Sequence, residues 1–195
     1  MYPKSFQKLI DKFAALPSIG PKMAERLVLY LFKEKNEVLQ DFSLSLSELK
    51  KNLSYCQRCF NLSEEEFCSI CKNTKRNQKS ICLVEDPLDI FAIEKTRHYL
   101  GLYHVLGGVL SPLKNSREPK LRIKELEERI KKEKPEEIIL ALNPTTEGDA
   151  TTLYLKNILK KYPLKITTLA RGLSTGSDLE YADEITLTSA LENRK

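Results

Sequence analysis

The chain has 195 residues, 41% of them hydrophobic, which is enough for one sizeable core with smaller attachments and excludes a disordered polymer. It holds no run of about 18 or more apolar residues, and Met1-Tyr2-Pro3-Lys4 leads straight into an amphipathic pattern without the apolar stretch of a secretion signal, so a cytoplasmic protein with no membrane span is expected. The net charge of +5 is uneven: residues 1 to 80 carry 14 Lys and Arg against 9 Asp and Glu, while residues 81 to 195 carry 18 of each, as in a polyanion-binding module joined to a neutral core.

Phe6, Leu9, Ile10 and Phe13 are spaced as on a helix, and so are Ala24, Leu27, Val28 and Leu31. The connector Leu16-Pro17-Ser18-Ile19-Gly20-Pro21 stops the first helix, and Pro21 suits the first position of the second, which predicts a tight two-helix hairpin. A further short helix is expected around Leu46, Leu49 and Leu53. The stretch from Tyr55 to about Lys79 has too few apolar residues to hold itself together.

From Ser80 onward, apolar runs at 81–84, 103–106, 138–142 and 166–169 alternate with amphipathic segments marked by Leu88, Phe91 and Ala92, by Ile123, Leu126 and Ile130, and by Ala150, Leu153, Tyr154 and Ile158. Strand-helix alternation of this kind predicts an α/β fold with a mostly parallel sheet. The tail from Arg171 to Lys195 has short helical potential and little apolar content, and is expected to pack outside the sheet or on another subunit.

Four of the five cysteines fall within 16 residues, as Cys56-x2-Cys59 and Cys68-x2-Cys71. A two-residue gap lets paired thiolates on a turn converge on one tetrahedral Zn²⁺ at about 2.3 Å, and four protein ligands leave no open coordination position, so the site reads as structural, with one zinc per chain. Such a site supplies the folding energy that this stretch lacks in apolar residues. A redox role for either pair is the alternative, and Cys82, in an apolar run, reads as a buried core thiol.

In the hairpin, Gly20 would let the backbone approach a phosphate closely, the second helix offers free N–H groups at its start, and Lys22 and Arg26 lie one turn apart. These features suit sequence-independent gripping of a DNA backbone. An ordinary helix corner with solvated charges has the same physical description. The string Leu16-Pro17-Ser18-Ile19-Gly20-Pro21-Lys22, followed by Ala24 and Arg26, resembles the helix-hairpin-helix signature of DNA repair proteins, and that resemblance favours DNA.

In the α/β part, Glu85 and Asp86 end the first strand, Asp89 follows, and the strand at 138–142 runs into Asn143-Pro144-Thr145-Thr146-Glu147-Gly148-Asp149. Carboxylates at strand ends beside a Gly-containing turn into a helix are where an α/β sheet holds Mg²⁺ and phosphate. The arrangement is similar to a Toprim domain, whose catalytic members end this strand in an Asp-x-Asp metal pair. Asn143 and Thr145 occupy those positions and are weak ligands. Glu85, Glu147 and Asp149 therefore read as a docking surface for a basic partner, with a loosely held Mg²⁺ as the alternative, and Glu147 and Asp149 also compensate the dipole at the start of a helix from Asp149 to Lys161. His104 reads as a hydrogen-bonded structural residue, and Arg171 as a contact for phosphate or an acidic neighbour, or as part of a surface turn.

Taken in order, LPSIGPKMAERL, CQRCFNLSEEEFCSIC, ICLVEDPLDIFAIE, YHVLGG, NPTTEGDAT and ARGLSTGSDLEYADEITL resemble the bacterial RecR family along essentially the whole chain. The resemblance implies a helix-hairpin-helix region at 1–54, a four-cysteine zinc finger at 55–79, a Toprim domain at 80–170 and a C-terminal oligomerisation segment at 171–195. It implies zinc on Cys56, Cys59, Cys68 and Cys71, DNA against Ile19, Gly20, Lys22 and Arg26, and a RecO contact at Glu147 with Asp149 nearby. It further implies a non-enzymatic mediator that forms dimer-to-tetramer rings on double- and single-stranded DNA and, with RecO and RecF, helps load RecA at single-stranded gaps. No G-x-x-x-x-G-K-[ST] phosphate loop is present, so ATP hydrolysis is not expected. The rival readings are a Mg²⁺-dependent Toprim nuclease or strand-passage enzyme, and a zinc-stabilised interaction module that never meets nucleic acid.

Overall fold

The computed structural model describes residues 2–110 and 121–194 and divides the chain into two compact units, at Asn52 and Leu53. The first unit holds α1 (Lys4–Ala14), α2 (Pro21–Lys33) and α3 (Asn36–Asn52). Ile10 of α1 and Ala24 and Val28 of α2 form its buried centre, with Phe6, Phe13, Ala14 and Ile19 packed around them. Phe6, Ile10 and Phe13 of α1 and Ala24 and Val28 of α2 thus point inward, as the sequence predicts, whereas Leu9 of the same spacing is exposed and Leu27 and Leu31 are only half-buried.

α3 departs from the expectation of a short helix near Leu46 to Leu53. It is a continuous 17-residue helix that starts ten residues earlier than Leu46. The alternation Ser43-Leu44-Ser45-Leu46 hides the helical period, while no Pro or Gly between Asn36 and Asn52 interrupts the backbone.

The second unit opens with β1 (Ser54–Tyr55) and β2 (Leu62–Ser63), an antiparallel pair carrying the first two cysteines between them, then the single turn α4 (Ser69–Lys72). β3 (Asn77–Val84), α5 (Pro87–Lys95), β4 (Gly101–Val105), α6 (Ile123–Glu133), β5 (Glu137–Ala141), α7 (Thr146–Leu159) and β6 (Lys165–Thr168) follow, and a 3₁₀ turn at Leu179–Tyr181 leads into α8 (Glu184–Glu192).

The sheet order is β4-β3-β5-β6, all parallel, with Cys82 opposite Tyr103 on one side and Ile139 on the other. Both faces of the central strands are covered, which is why they read as unbroken apolar runs. Ile81, Leu83, Ile138 and Leu140 meet Leu126 and Ile130 of α6 and Leu155 and Leu159 of α7. Cys82, Val84, Tyr103 and Val105 meet Ile90 of α5 and Phe60 from the cysteine-bearing loop.

α7 begins at Thr146, three residues before the expected Asp149, because the Thr145 hydroxyl accepts from the Gly148 N–H at 3.0 Å and so caps the helix earlier. Among the described residues, no helix is long and apolar enough to cross a membrane.

Candidate functional site

The four paired cysteines converge. Their Sγ atoms all lie within 4.8 Å of one another, with Cys59 and Cys68 3.5 Å apart, and none is in a disulfide. Metal–sulfur bonds of about 2.3 Å in a tetrahedron give sulfur–sulfur edges of about 3.8 Å, so the donor set fits Zn²⁺. Local backbone geometry sets this up. The Cys56 N–H donates to the Asn61 carbonyl and the Phe60 N–H returns to Cys56, with Phe60 in the left-handed region at φ 63°, so the first pair sits on a tight reversal. The Cys68 N–H donates to Cys56 Sγ at 3.3 Å, and the second pair opens α4. Bonding to Cys68 drives the Cys59 thiol far above its ordinary value, while the same contact holds Cys68 down. Thiolates this close repel one another, and a divalent cation among them is what lets all four ionise.

The cysteine loop is fastened to the sheet by contacts that the sequence gives no sign of. The Val105 N–H of β4 donates to the Cys59 carbonyl at 2.8 Å. Arg58, between the first two cysteines, donates to Glu133 of α6 at 2.9 and 3.1 Å, to Gln78 of β3 at 2.9 Å and to the Cys71 carbonyl at 3.3 Å. The same Glu133 accepts from Arg129, whose side chain is only 5% exposed and which also donates to the Tyr103 carbonyl at 2.6 Å. Burial pulls the Glu133 carboxyl up, but Arg58 and Arg129 outweigh it and hold it below the usual carboxylate range. The Arg122 guanidinium lies 4.7 Å from the Tyr55 ring centre and 4.8 Å from that of Phe60. Isolated arginines far apart in sequence carry no periodicity or motif, so only the fold reveals these clasps.

His104 is fully buried in β4. Its Nε2 lies 3.0 Å from the Arg122 carbonyl, and the Phe60 ring meets it edge to face at 5.4 Å. Burial first, then the charge of Arg129, pushes its pKa down to about 3, so the ring is neutral and structural.

In the first unit, the hairpin turn half-buries Ile19 against the helix core and leaves Gly20, Lys22 and Arg26 exposed. Gly20 has φ −79°, and a side chain there would meet nothing within 4 Å, so the chain's own packing does not demand glycine. Pro21 takes the first position of α2 and no side chain caps it, which leaves the N–H groups of Lys22 and Met23 without an intrahelical acceptor.

The acidic residues at the strand ends are mostly committed to other tasks. Glu85 accepts from the Asn143 backbone N–H at 2.5 Å and from its side-chain Nδ2 at 2.9 Å. Asp86 and Asp89 form a capping box on α5, in which Asp89 accepts from the Asp86 N–H at 2.9 Å while the Asp86 side chain also accepts from the Leu88 N–H at 2.9 Å. Asp149 is paired through both oxygens with Arg171, so among the contacts expected of that arginine the one present is an acidic neighbour. Glu147 lies in the first turn of α7. Among the described residues its carboxylate has no hydrogen-bond or ion-pair partner, and only its carbonyl is used, by the Thr151 hydroxyl. Glu85, Glu147 and Asp149 thus share one rim of the sheet but do not point their oxygens at one centre.

Comparison with known proteins finds matches to four successive parts of the chain. Residues 6–50 match the helix-hairpin-helix of RecR, 53–73 the four-cysteine zinc finger domain of RecR, 79–170 the Toprim domain and 172–195 the C-terminal part of RecR. A recombination protein RecR from Herpetosiphon aurantiacus is 47% identical over 193 residues, 99% of this chain and 95% of the relative. That from Prochlorococcus marinus (strain AS9601) is 46% identical, covering 99% and 96%, and that from Synechococcus elongatus is 44% identical, covering 100% and 98%. With full-length identity at this level and all four parts present in order, the chain belongs to the RecR family of recombination proteins.

Proposed function

We propose that this chain is a DNA-binding recombination mediator that grips the DNA backbone and performs no chemistry on it. The observation that carries the reading is the start of α2, where two unused N–H groups, an unobstructed Gly20 and the exposed cations Lys22 and Arg26 cluster at one turn. Ile19 anchors that turn from beneath. In this reading Cys56, Cys59, Cys68 and Cys71 hold one structural Zn²⁺, which stabilises the second unit and takes no part in a reaction.

The segments 1–54, 55–79, 80–170 and 171–195 then act as DNA-binding, zinc, Toprim and oligomerisation parts. The protein works in the bacterial cytoplasm, at the nucleoid, as a dimer or tetramer that closes into a ring. It acts on double- and single-stranded DNA with RecO and RecF to load RecA at gaps, and Glu147 with Asp149 is the contact for a basic surface on RecO. The exposed Leu173, Leu179, Tyr181, Ile185 and Leu191 of the C-terminal segment support its assignment to assembly, since so many apolar side chains on a short tail want a cover.

The test is DNA affinity as a function of salt. Reversing charge in the double variant Lys22→Glu, Arg26→Glu is expected to weaken binding at low salt and to lower the slope of log K against log salt by about 2, roughly 0.9 for each phosphate no longer neutralised. An unchanged slope refutes the hairpin as the DNA-binding surface and leaves an interaction module. Incubation with supercoiled plasmid and Mg²⁺ or Mn²⁺ separates the enzymatic rival: DNA that is retarded yet chemically intact after deproteinisation supports the mediator, and nicking or relaxation lost in Glu85→Ala makes the protein an enzyme.

A further inference from the structure

Toprim domains that act chemically hold a divalent cation between carboxylates at the ends of two neighbouring strands, and the equivalent neighbours here are β3 and β5. The groups present at that rim do not suit an ion. A cation needs lone pairs converging on it. Glu85, at the end of β3, instead has both oxygens engaged by N–H donors of Asn143, at 2.5 and 2.9 Å, and an N–H cannot coordinate a metal. Asp86 and Asp89 are occupied in capping the first turn of α5, where they accept from the Leu88 and Asp86 N–H groups, and Asp149 is held by Arg171.

The bonds continue beyond Asn143. Its carbonyl accepts from the Thr145 N–H at 2.8 Å, and it lies so close to Gly148 that any β-carbon there would overlap it. The Thr145 hydroxyl in turn accepts from the Gly148 N–H at 3.0 Å. Glu85 therefore fixes Asn143, Asn143 fixes the turn into α7, and that turn sets the position of Glu147, the carboxylate left without a partner among the described residues.

We propose that the Glu85–Asn143 clasp stands in for the divalent cation of a Toprim site: two N–H donors supply the positive end that an ion supplies elsewhere, and Glu85 is a positioning residue for the 143–149 turn, neither a metal ligand nor itself the docking contact. The replacement of the cation is independent of the proposed function, whereas the part played by Glu147 rests on the docking reading above.

Three proteins test it: the full-length zinc-loaded wild type, Glu85→Gln and Asn143→Asp, each followed by thermal denaturation with Mg²⁺ against an ionic-strength control, by Mn²⁺ binding in electron paramagnetic resonance, and by amide exchange. The wild type is expected to show no Mg²⁺-specific shift in melting and no Mn²⁺ signal lost from solution. Glu85→Gln, which cannot accept two N–H bonds as a carboxylate, is expected to raise exchange at the Asn143 and Gly148 amides roughly ten- to hundredfold, the factor for losing a charge-assisted pair, again without a metal response. Asn143→Asp sets two carboxylates face to face. It is expected to melt lower without divalent cations and to be restored by Mg²⁺ or Mn²⁺, a rescue that a merely disrupted turn would not show.

Mn²⁺ binding to the wild type that disappears in Glu85→Gln overturns the proposal, as does an Asn143→Asp protein indifferent to cations. Unchanged exchange in Glu85→Gln overturns the positioning role. These readouts need no DNA or partner, so they succeed or fail separately from the mediator reading. A partner protein that binds Glu85→Gln as tightly as wild type, with the turn demonstrably loosened, would sink the docking reading while leaving the clasp intact.

Discussion

Replacing Glu133 by Ala removes the one carboxylate shared by Arg58 of the cysteine loop and Arg129 of α6. Three charge-assisted hydrogen bonds, at 2.9, 3.1 and 3.0 Å, disappear together. The two guanidiniums suffer unequally. Arg58 is 24% exposed and can be rehydrated, but Arg129 is 5% exposed and, among the described residues, keeps only the Tyr103 carbonyl as a partner. Stranding a buried charge costs about 3–5 kcal/mol, and partial access of water to Arg58 puts this case near the lower end, at about 3 kcal/mol. With a urea dependence of about 2 kcal/mol per molar, the unfolding midpoint should fall by about 1.5 M. Because Arg58 also donates to the Cys71 carbonyl, zinc should be released to a chromogenic chelator faster than from wild type. The first unit, and with it low-salt DNA binding, should be unaffected. The pH dependence gives a second handle. The folded pKa of Glu133 is depressed, so its contribution is complete above the unfolded value of about 4.3 and fades as the pH falls through the folded value; wild type and Glu133→Ala should therefore converge in stability in acid. A midpoint within experimental error of wild type at neutral pH would refute the idea that this carboxylate joins the zinc loop to the sheet.

Substituting Cys56→Ser should lower zinc content and melting temperature together without creating or abolishing a reaction, measured by metal analysis and calorimetry; full zinc occupancy with unchanged melting would count against the four-thiolate assignment. His104 has a folded pKa depressed to about 3 against an ordinary value near 6.5. Between those values the unfolded chain binds the extra proton, so stability should drop by up to about 1.4 kcal/mol per pH unit as pH falls below about 6.5, and His104→Gln should remove that part of the slope in urea titrations. Gly148→Ala should destabilise by about 1–3 kcal/mol, since its methyl group collides with the Asn143 backbone carbonyl, which cannot swing away as a side-chain tip could; neutrality in chemical denaturation would show that the turn into α7 is slack.

The secondary structure of the second unit is largely legible in the sequence because parallel strands covered on both faces must be continuously apolar, and the runs at 81–84, 103–106, 138–142 and 166–169 each fall on a strand, with ends that differ by a few residues at most. The cysteine pairs are legible for a different reason: two Cys-x2-Cys turns bring four thiolates together by short-range geometry alone, and the sulfurs do meet. The length of α3 is not, since alternating serines and leucines mimic a strand, and the start of α7 shifts because Thr145 caps earlier than the acidic residues suggest.

Composition, spacing and the order of motifs determined by themselves the α/β core, the helical hairpin, the metal-type cysteine cluster and the family. Each of these depends on residues close in sequence or on a periodicity that neighbours enforce. The tertiary structure alone decided what the charged residues do. Glu85 reaches Asn143 across 58 positions, Arg58 reaches Glu133 across 75, and Arg171 reaches Asp149 across 22. A lone charge carries no periodicity, and its partner is set by which strand ends and helix turns the sheet brings side by side. The acidic rim that looks like a metal site from its residue types is therefore a set of caps and clasps, with one carboxylate left over among the described residues.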